Sequence, residues 1–208
     1  MRLVRRRTAL LGLATAAAAS AGGRLRAQAG DPRLTERGTG DPAAPVRVTE
    51  FFSLTCSHCA AFHRDTWPRV KRDLVETGTV RMVWWDFPLD RVALTAAVVA
   101  RSLPADRYEG FIGTLLGSQD RWAFRPDPIE ELAKLAALAG MSRTQFDAAR
   151  GDEALGRAVL AGRLEAEREF QVQATPSFAF RRGAQTRTQS GNLGFDRFLQ
   201  LVEEVNRA

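Results

Sequence analysis

Both cysteines and both histidines of this 208-residue chain lie within eight consecutive positions. The cluster is the run CSHCAAFH, residues 56–63, inside the longer stretch EFFSLTCSHCAAFHRDTWP. Two thiols three positions apart can form a disulfide across one helical turn, and with imidazoles they can also bind a metal ion. The cluster therefore has three interpretations, which are a structural staple, a metal site and a redox-active pair.

A structural staple is not expected, because a Cys56–Cys59 disulfide closes a very short loop and constrains little of the unfolded chain. Structural zinc usually takes four ligands, often from two separated pairs. A helical segment of a turn and a half does not easily arrange Cys56, His58, Cys59 and His63 around one ion. A copper-binding module remains the non-enzymatic alternative, since thiolates suit copper. His63 is interpreted as a packed helix residue.

The redox interpretation depends on Cys56, which follows a predicted strand and begins a predicted helix. Unpaired backbone N–H groups and the helix dipole stabilise a thiolate at that position. Such sites lower a cysteine pKa from about 8.5 to roughly 3.5–7.5. His58 is expected to add a cationic or donor group beside the same sulfur, and Cys59 is expected to be more buried. A stabilised thiolate favours the reduced pair, which makes the disulfide a stronger oxidant.

The elements that position this pair can be predicted from the surrounding sequence. β-branched and aromatic residues predict four strands, over residues 46–52, 79–87, 177–180 and 185–190. Helical spacing predicts a helix from Cys56 to about Thr77, kinked or broken by Pro68, and a final amphipathic helix over 194–206. Residues 89–170 are predominantly helical and alanine-rich. Because they separate two strand-bearing ends, we interpret them as an insertion in an α/β sheet protein.

The first 29 residues have the pattern of an export signal. A basic start is followed by a mostly apolar run and by Ala27-Gln28-Ala29, a cleavage signature. We expect a signal peptide over 1–29, removed after export by the twin-arginine or the general secretory route. Residues 30–45, rich in Gly, Pro and charge, predict a flexible lead-in. The expected location is the periplasm, where disulfides persist.

The charge balance of the chain excludes some partners. The whole sequence carries 30 basic and 24 acidic residues, for a formal charge of +6. The first 29 residues contain six arginines and no acidic residue, so residues 30–208 carry 24 charges of each sign. A balanced protein has no global field that attracts nucleic acid or an anionic membrane. We therefore expect no nucleic-acid partner.

The stretch EFFSLTCSHC, followed far downstream by QATPSF, resembles the DsbA family of thiol:disulfide oxidoreductases. The resemblance covers about residues 45–206 and includes WWDFPLD after the second strand. It implies a thioredoxin fold, with a thioredoxin-like domain formed by 46–88 and 171–208 and a helical insertion over 89–170. It also implies an exported enzyme that introduces disulfides into translocated proteins. No cofactor beyond the two cysteines is expected.

The resemblance also assigns roles to individual residues. Cys56 is implied to be the exposed nucleophile and Cys59 the resolving thiol. Pro176 is implied to be a cis-proline that faces the disulfide, and the backbone of Thr175 before it to bind substrate. Glu50, six positions before Cys56, matches a buried acid of the family, and we interpret it as a proton-transfer group.

Two further expectations concern activity and partners. A disulfide isomerase or reductase on the same fold stays open as an alternative, because Thr-Pro before the third strand also occurs in those enzymes. Residues 30–45 look too short and polar for the dimerisation segment that isomerases often need, so a monomer is expected. The expected partners are exported proteins that contain cysteines and a quinone-linked membrane protein that reoxidises the pair.

Overall fold

A computed structural model describes residues 30–207 of the chain. Within that range the strands are β1 Arg37–Thr39, β2 Val46–Phe52, β3 Val80–Asp86, β4 Ser177–Arg182 and β5 Gln185–Ser190. The α-helices are α1 Ser57–Asp65, α2 Trp67–Val70, α3 Arg91–Ser102, α4 Ala105–Gly117, α5 Gln119–Trp122, α6 Pro128–Leu138, α7 Arg143–Arg150, α8 Glu153–Glu169 and α9 Phe195–Arg207. The signal peptide predicted over 1–29 lies outside the described residues.

The strands form one mixed sheet in the order β1-β3-β2-β4-β5. β2 runs parallel to β3, whereas the other three pairs of neighbouring strands are antiparallel. The four strands predicted from the sequence are confirmed, with β4 extending two residues further than expected, to Arg182. The predicted α/β architecture is confirmed as well.

β2 occupies the centre of the sheet and is buried along nearly its whole length because helices cover both of its faces. On one face, Val48 and Phe52 pack in the main core with Phe62 of α1. On the opposite face, Phe51 packs against Ala166 of α8. Side chains alternate between the faces of a strand, so Glu50 lies on the same face as Phe52, under α1.

The single helix predicted from Cys56 to about Thr77 is divided in the structure. α1 ends at Thr66, whose hydroxyl donates to the carbonyl oxygen of Leu193 at 2.8 Å. Pro68 then stands in the first turn of α2, where its missing N–H costs nothing. A π-helical turn over Lys71–Val75 follows. The break therefore comes two residues before the proline, at the point where α1 is tied to the C-terminal part of the chain.

The prediction of a flexible lead-in over residues 30–45 is wrong for residues 32–39, which contain two short elements of regular structure. Pro32–Leu34 form a 3₁₀ turn, and β1 pairs with the edge of the sheet in the register Arg37↔Trp84. Arg101 of α3 holds this segment, because its Nη1 donates to the carbonyl oxygen of Arg33 at 2.8 Å. The same guanidinium is paired with buried Asp86. These long-range contacts, rather than local propensity, determine the path of the lead-in.

Six helices, α3 to α8, lie between β3 and β4. Asp127 and Ser142 cap the N-termini of α6 and α7, and Ser142 forms a reciprocal capping box with Gln145. The short helix α5 brings Gln119 to the loop before α1. No helix within residues 30–207 has both the length and the apolar character needed to cross a bilayer.

Candidate active site

Cys56 is the N-cap residue of α1 and follows the short loop that leaves β2. Its backbone N–H donates to the carbonyl oxygen of Ser53 at 3.1 Å, and its carbonyl accepts the N–H of Ala60 at 3.1 Å. Gln119 adds a third constraint, since its Nε2 donates to the carbonyl oxygens of Leu54 at 2.8 Å and of Cys56 at 3.0 Å. Hydrogen bonds with Ser53, Ala60 and Gln119 thus fix the backbone that carries the sulfur.

The surroundings of Cys56 lower the pKa of its thiol to about 5, from an ordinary value of 9.0. The largest cause is the hydrogen bond that the Cys59 thiol donates to this sulfur, which outweighs the opposing effect of burial. The Thr175 side chain and the backbone N–H groups of Cys59 and His58 add to the lowering. All of these donors favour the thiolate form. Cys56 therefore has the acidity of an activated nucleophile.

Cys59 is the opposite kind of thiol. Cys56 keeps 8% of its surface exposed, whereas Cys59 is 0% exposed, so the expectation that Cys59 is more buried is confirmed. Burial raises the pKa of Cys59 well above its ordinary value, and the donated hydrogen bond to Cys56 and the charge of Glu50 raise it further. The two sulfurs differ in both access and acidity, which is the asymmetry that thiol–disulfide exchange requires.

The loop before β4 meets Cys56 from the other side. The Thr175–Pro176 peptide bond is cis, as the family resemblance implies. In its thiol form Cys56 donates from Sγ to the carbonyl oxygen of Thr175 at 3.3 Å. The Thr175 hydroxyl is buried near the same sulfur and lowers its pKa, although it makes no hydrogen bond of standard geometry within residues 30–207. A carbonyl favours the thiol and a hydroxyl donor favours the thiolate, so Thr175 offers a contact to either form of the sulfur.

His58 affects the acidity of Cys56 in a different way from the one expected from the sequence. Its side chain is exposed and has no hydrogen-bond partner among residues 30–207, so the structure does not bring the imidazole to the sulfur as a donor. The group of His58 that acts on Cys56 is its backbone N–H. The reason is geometric, because side chains in the first turn of a helix point outward while the free N–H groups point along the axis.

Glu50 lies beneath the redox pair, as expected, and it is fully buried. The sequence analysis missed its partner, which is His63: Nε2 of His63 and Oε2 of Glu50 are 3.0 Å apart. The imidazole is enclosed by the aromatic rings of Phe52, Phe62 and Trp67. Two features of the sequence signal the pair. His63 follows Cys59 by one helical turn, and Glu50 alternates onto the face of β2 that α1 covers.

The four side chains considered as metal ligands do not converge. His58 points to solvent, whereas His63 is turned toward Glu50 in the core. Within residues 30–207 there is no group of three or more histidine, cysteine or acidic side chains placed to hold a metal ion. Cys56 and Cys59 are thus the only two of the four that face each other.

Comparison with known proteins shows to which family the chain belongs. A family model described as thioredoxin matches residues 33–201. A Rickettsia conorii protein, provisionally named a protein-disulfide oxidoreductase, is 28% identical over 167 residues, which is 80% of this chain and 58% of that protein. The chain therefore spans less than two thirds of the length of this relative.

Two solved structures share the architecture. A cysteine-to-alanine variant of α-DsbA1 from Wolbachia pipientis has a TM-score of 0.76 and 25% identity, over 83% of this chain and 90% of that one. A protein-disulfide isomerase from Novosphingobium aromaticivorans has a TM-score of 0.69 and 24% identity, over 82% of this chain and 97% of that one. At that identity the second likeness is evidence for the fold alone. The chain belongs to the thioredoxin family, and its fold is that of the DsbA-type members.

Proposed function

We propose that this protein is an exported thiol:disulfide oxidoreductase that introduces disulfides into translocated proteins through Cys56 and Cys59. The observation that carries the proposal is the contrast between the two sulfurs. The pKa of Cys56 is lowered to about 5 at the start of α1, and the pKa of fully buried Cys59 is raised. A stabilised Cys56 thiolate favours the reduced enzyme, which makes the disulfide a ready oxidant.

The reaction begins when a substrate thiolate attacks Sγ of Cys56 in the disulfide form. The Cys56–Cys59 bond breaks, its electron pair moves to Cys59, and Cys59 takes up a proton. A second substrate thiolate then attacks the substrate sulfur of the mixed disulfide. Cys56 leaves as a thiolate, which is a good leaving group because of its lowered pKa. The products are an oxidised substrate and a reduced enzyme, so two electrons have passed to the cysteine pair.

The surrounding residues have separate roles in this proposal. Glu50, buried beneath the pair, exchanges the proton that Cys59 gains or loses. The loop of Thr175 and Pro176 borders the reactive sulfur, and the backbone of Thr175 pairs with an extended substrate as an added strand does. His58 acts on Cys56 through its backbone N–H. Its imidazole is exposed.

The cellular setting is part of the same proposal. Export rests on the basic start, the apolar run and the Ala27-Gln28-Ala29 signature at the N-terminus. The substrates are exported proteins with cysteines, and a quinone-linked membrane protein reoxidises the enzyme. The protein acts as a monomer and does not bind nucleic acid, in keeping with its balanced charge over residues 30–208.

Equilibration with glutathione buffers tests the proposal and separates its alternatives. A Cys56 pKa of about 5 lies between the values of about 7 in thioredoxin and about 3.5 in DsbA. We therefore expect a reduction potential between about −270 and −120 mV, the values of those two proteins. A potential at or below that of thioredoxin would indicate a reductase instead.

The same preparation is then mixed with a reduced protein that forms one native disulfide. We expect one disulfide in the substrate for each enzyme molecule, and none with Cys56→Ser. Rearrangement of scrambled disulfides without net oxidation would indicate an isomerase. Stoichiometric copper in the purified protein, without disulfide transfer, would indicate the copper-binding alternative.

A further inference from the structure

A cavity of about 580 Å³ lies between α8 and the sheet. This volume falls in the range of small-molecule sites, about 300–1,000 Å³. Val83 and Trp85 of β3 form its floor, and small residues of α8 form the opposite wall, namely Ala158, Ala161 and Gly162. Trp85 is paired in register with Phe51, so its side chain lies on the face of the sheet opposite to α1. The cavity is therefore separate from the redox pair.

The cavity exists because α8 packs on the rest of the protein in two separate places. Toward its start, Val159 packs against Val98 of α3. Toward its end, Ala166 packs against Phe51 of β2. The residues of α8 between these contacts that face the sheet are small, so the helix leaves space over Trp85.

The floor and the wall of the cavity offer few hydrogen bonds to a ligand. β3 is paired on both sides, with β1 and with β2. The indole N–H of Trp85 donates to the carbonyl oxygen of Gly162 at 3.0 Å. A peptide bound here would lose the hydration of its amide groups without replacement, which is unfavourable. The middle of the cavity thus suits a chain that has no polar groups.

Arg101 of α3 lines one end of the cavity, and the residue is only 8% exposed. Its Nε is paired with Asp86, and its Nη1 donates to the carbonyl oxygen of Arg33 at 2.8 Å. Its Nη2 makes no hydrogen bond within residues 30–207. One nitrogen of a buried guanidinium is therefore available to an acceptor on a ligand.

The charge around Arg101 is not balanced by its neighbours. Asp86 pairs with Arg101 and accepts a hydrogen bond from the hydroxyl of Tyr108 at 3.0 Å. Arg37 is buried close by, and within residues 30–207 no acidic side chain lies within ion-pair distance of it. Burial, and next the charge of Arg101, lower the pKa of Arg37. Two buried guanidinium groups thus share one carboxylate, which leaves one positive charge in excess.

The other end of the cavity has the opposite charge. Val159 of α8 packs against the turn of α3 that precedes Arg101. Glu165 and Glu169 line the cavity about 9–15 Å further along α8, at a rise of 1.5 Å per residue. Neither forms an ion pair within residues 30–207, so with Arg168 this end has one negative charge in excess. The remaining charged residues of the lining are paired with each other at 2.5 Å, namely Arg47 and Glu36.

We propose that this cavity binds a single-chain apolar carboxylate, with the carboxylate on Nη2 of Arg101 and the chain along Val83 and Trp85. An anionic head group compensates the excess positive charge, and the acidic end disfavours the reverse orientation. A chain without amide groups buries apolar surface and leaves no polar atom unpaired. The site adds a binding activity to the proposed oxidoreductase.

Isothermal titration calorimetry of the purified, oxidised protein with decanoate tests the site. Decanol and decyltrimethylammonium are titrated in parallel, because they keep the chain and change the head group to a neutral or a cationic one. We expect decanoate to bind at least about tenfold more tightly than decanol, since its head group forms a charge-assisted hydrogen bond to Arg101. The ammonium should bind more weakly than the alcohol. The indole N–H signal of Trp85 in a ¹H–¹⁵N spectrum should shift when decanoate is added.

Three variants locate the binding. Ala161→Trp places a large ring in the cavity, whereas Ala154→Trp adds the same ring at an exposed position of α8 that does not line it. The first variant should lose decanoate binding, and the second should match the parent. Arg101→Lys keeps the positive charge but not the planar fork of donors, so its affinity for decanoate should fall by about tenfold. Thermal unfolding checks each variant, and the head-group series on the parent decides the role of Arg101 if Arg101→Lys does not fold.

Four outcomes would overturn the inference. Equal affinities for decanoate and decanol would mean that Arg101 does not pair with the head group. Tighter binding of the ammonium would mean that the acidic end selects the ligand. Decanoate binding that persists in Ala161→Trp would place the ligand elsewhere, and the absence of both heat and an indole shift below the micelle concentration of decanoate would remove the site. None of these measurements depends on disulfide exchange, so the result is independent of the proposed function.

Discussion

The side-chain amide of Gln119 donates to the carbonyl oxygen of Cys56 at 3.0 Å, and this bond joins the helical segment to the reactive cysteine. The same nitrogen donates to the carbonyl of Leu54 at 2.8 Å, so both hydrogens of the amide are used in the loop that leads to α1. Gln119 is buried although it belongs to a polar residue type. The helices between β3 and β4 thus take part in shaping the active site.

Replacement of Gln119 by leucine should destabilise the protein. The change leaves the carbonyl of Leu54 without its donor and removes one of the two donors to Cys56, in a buried place. We expect a loss of about 1–3 kcal/mol in the free energy of unfolding, the cost of leaving a buried acceptor unpaired. Urea unfolding of the reduced protein measures it. Asp120→Asn, at the exposed next position of α5, is the matched control, and a Gln119→Leu protein as stable as that control would contradict the account.

The hydroxyl of Thr175 should contribute to the acidity of Cys56. Thr175→Val keeps the shape of the side chain and the backbone carbonyl but removes the donor that favours the thiolate. The pKa of Cys56 should therefore rise above about 5. Titration of the ultraviolet thiolate absorbance measures the rise, with Thr175→Ser as the variant that retains a hydroxyl. Equal pKa values in the two variants would remove the hydroxyl from the explanation.

The imidazole of His58 should matter little to the pKa of Cys56. The side chain is exposed, and the contribution of His58 comes from its backbone N–H, which alanine retains. An exposed charge is worth about 0–1 kcal/mol, so we expect His58→Ala to shift the pKa of Cys56 by less than about one unit. The same absorbance titration decides the point. A rise of two units or more would restore the imidazole to the role first predicted for it.

The stability of the reduced protein should depend on pH through Cys56. The folded pKa is lowered to about 5 from an ordinary value of 9.0, so the unfolded state binds more protons between these two values. Stability from this group therefore increases as pH rises from about 5 to 9, and it is lost as pH falls through 5. At pH 7 the gain is about 2–3 kcal/mol.

Urea unfolding of the reduced protein at pH 5, 6, 7 and 8 tests this dependence, with Cys56→Ser as the reference at each pH. The difference between the two proteins should grow steadily across the series. Above pH 9 the raised pKa of Cys59 lowers the stability of the folded protein as pH rises, which opposes the effect of Cys56. The comparison therefore stops at pH 8. A difference that is constant with pH would contradict the lowered pKa.

Local signals were sufficient to predict most of the elements. Long runs of β-branched and aromatic residues predicted β2 and β3 to within one residue at each end. The Asp and Ser caps of α6 and α7 were equally visible, because capping is a property of a few neighbouring residues. The CxxC spacing at the start of a helix likewise placed the two sulfurs together, and their unequal burial followed from the helix geometry.

The features that were missed depend on contacts far apart in the sequence. β1 has only three residues and is held by pairing with β3 and by Arg101, which is 68 residues from its acceptor Arg33. The contact between Glu50 and His63 depends on how α1 lies across β2. The bonds of Gln119 to the loop before α1 depend on the packing of the helical segment. The spacing of Glu50 and His63 gives a local signal for their contact, whereas the contacts of Arg101 and Gln119 have no signature in a short stretch of sequence.

The central claim is that the fold makes Cys56 an acidic, reactive thiol, and the most direct measurement is the pKa of Cys56 in the reduced protein. Thiolate absorbance is titrated between pH 3 and 10, and the signal of Cys56→Ser, in which only Cys59 remains, is recorded in parallel. The account predicts a transition at about pH 5 that is absent from the variant. A single transition near the ordinary value of 9.0 would contradict it.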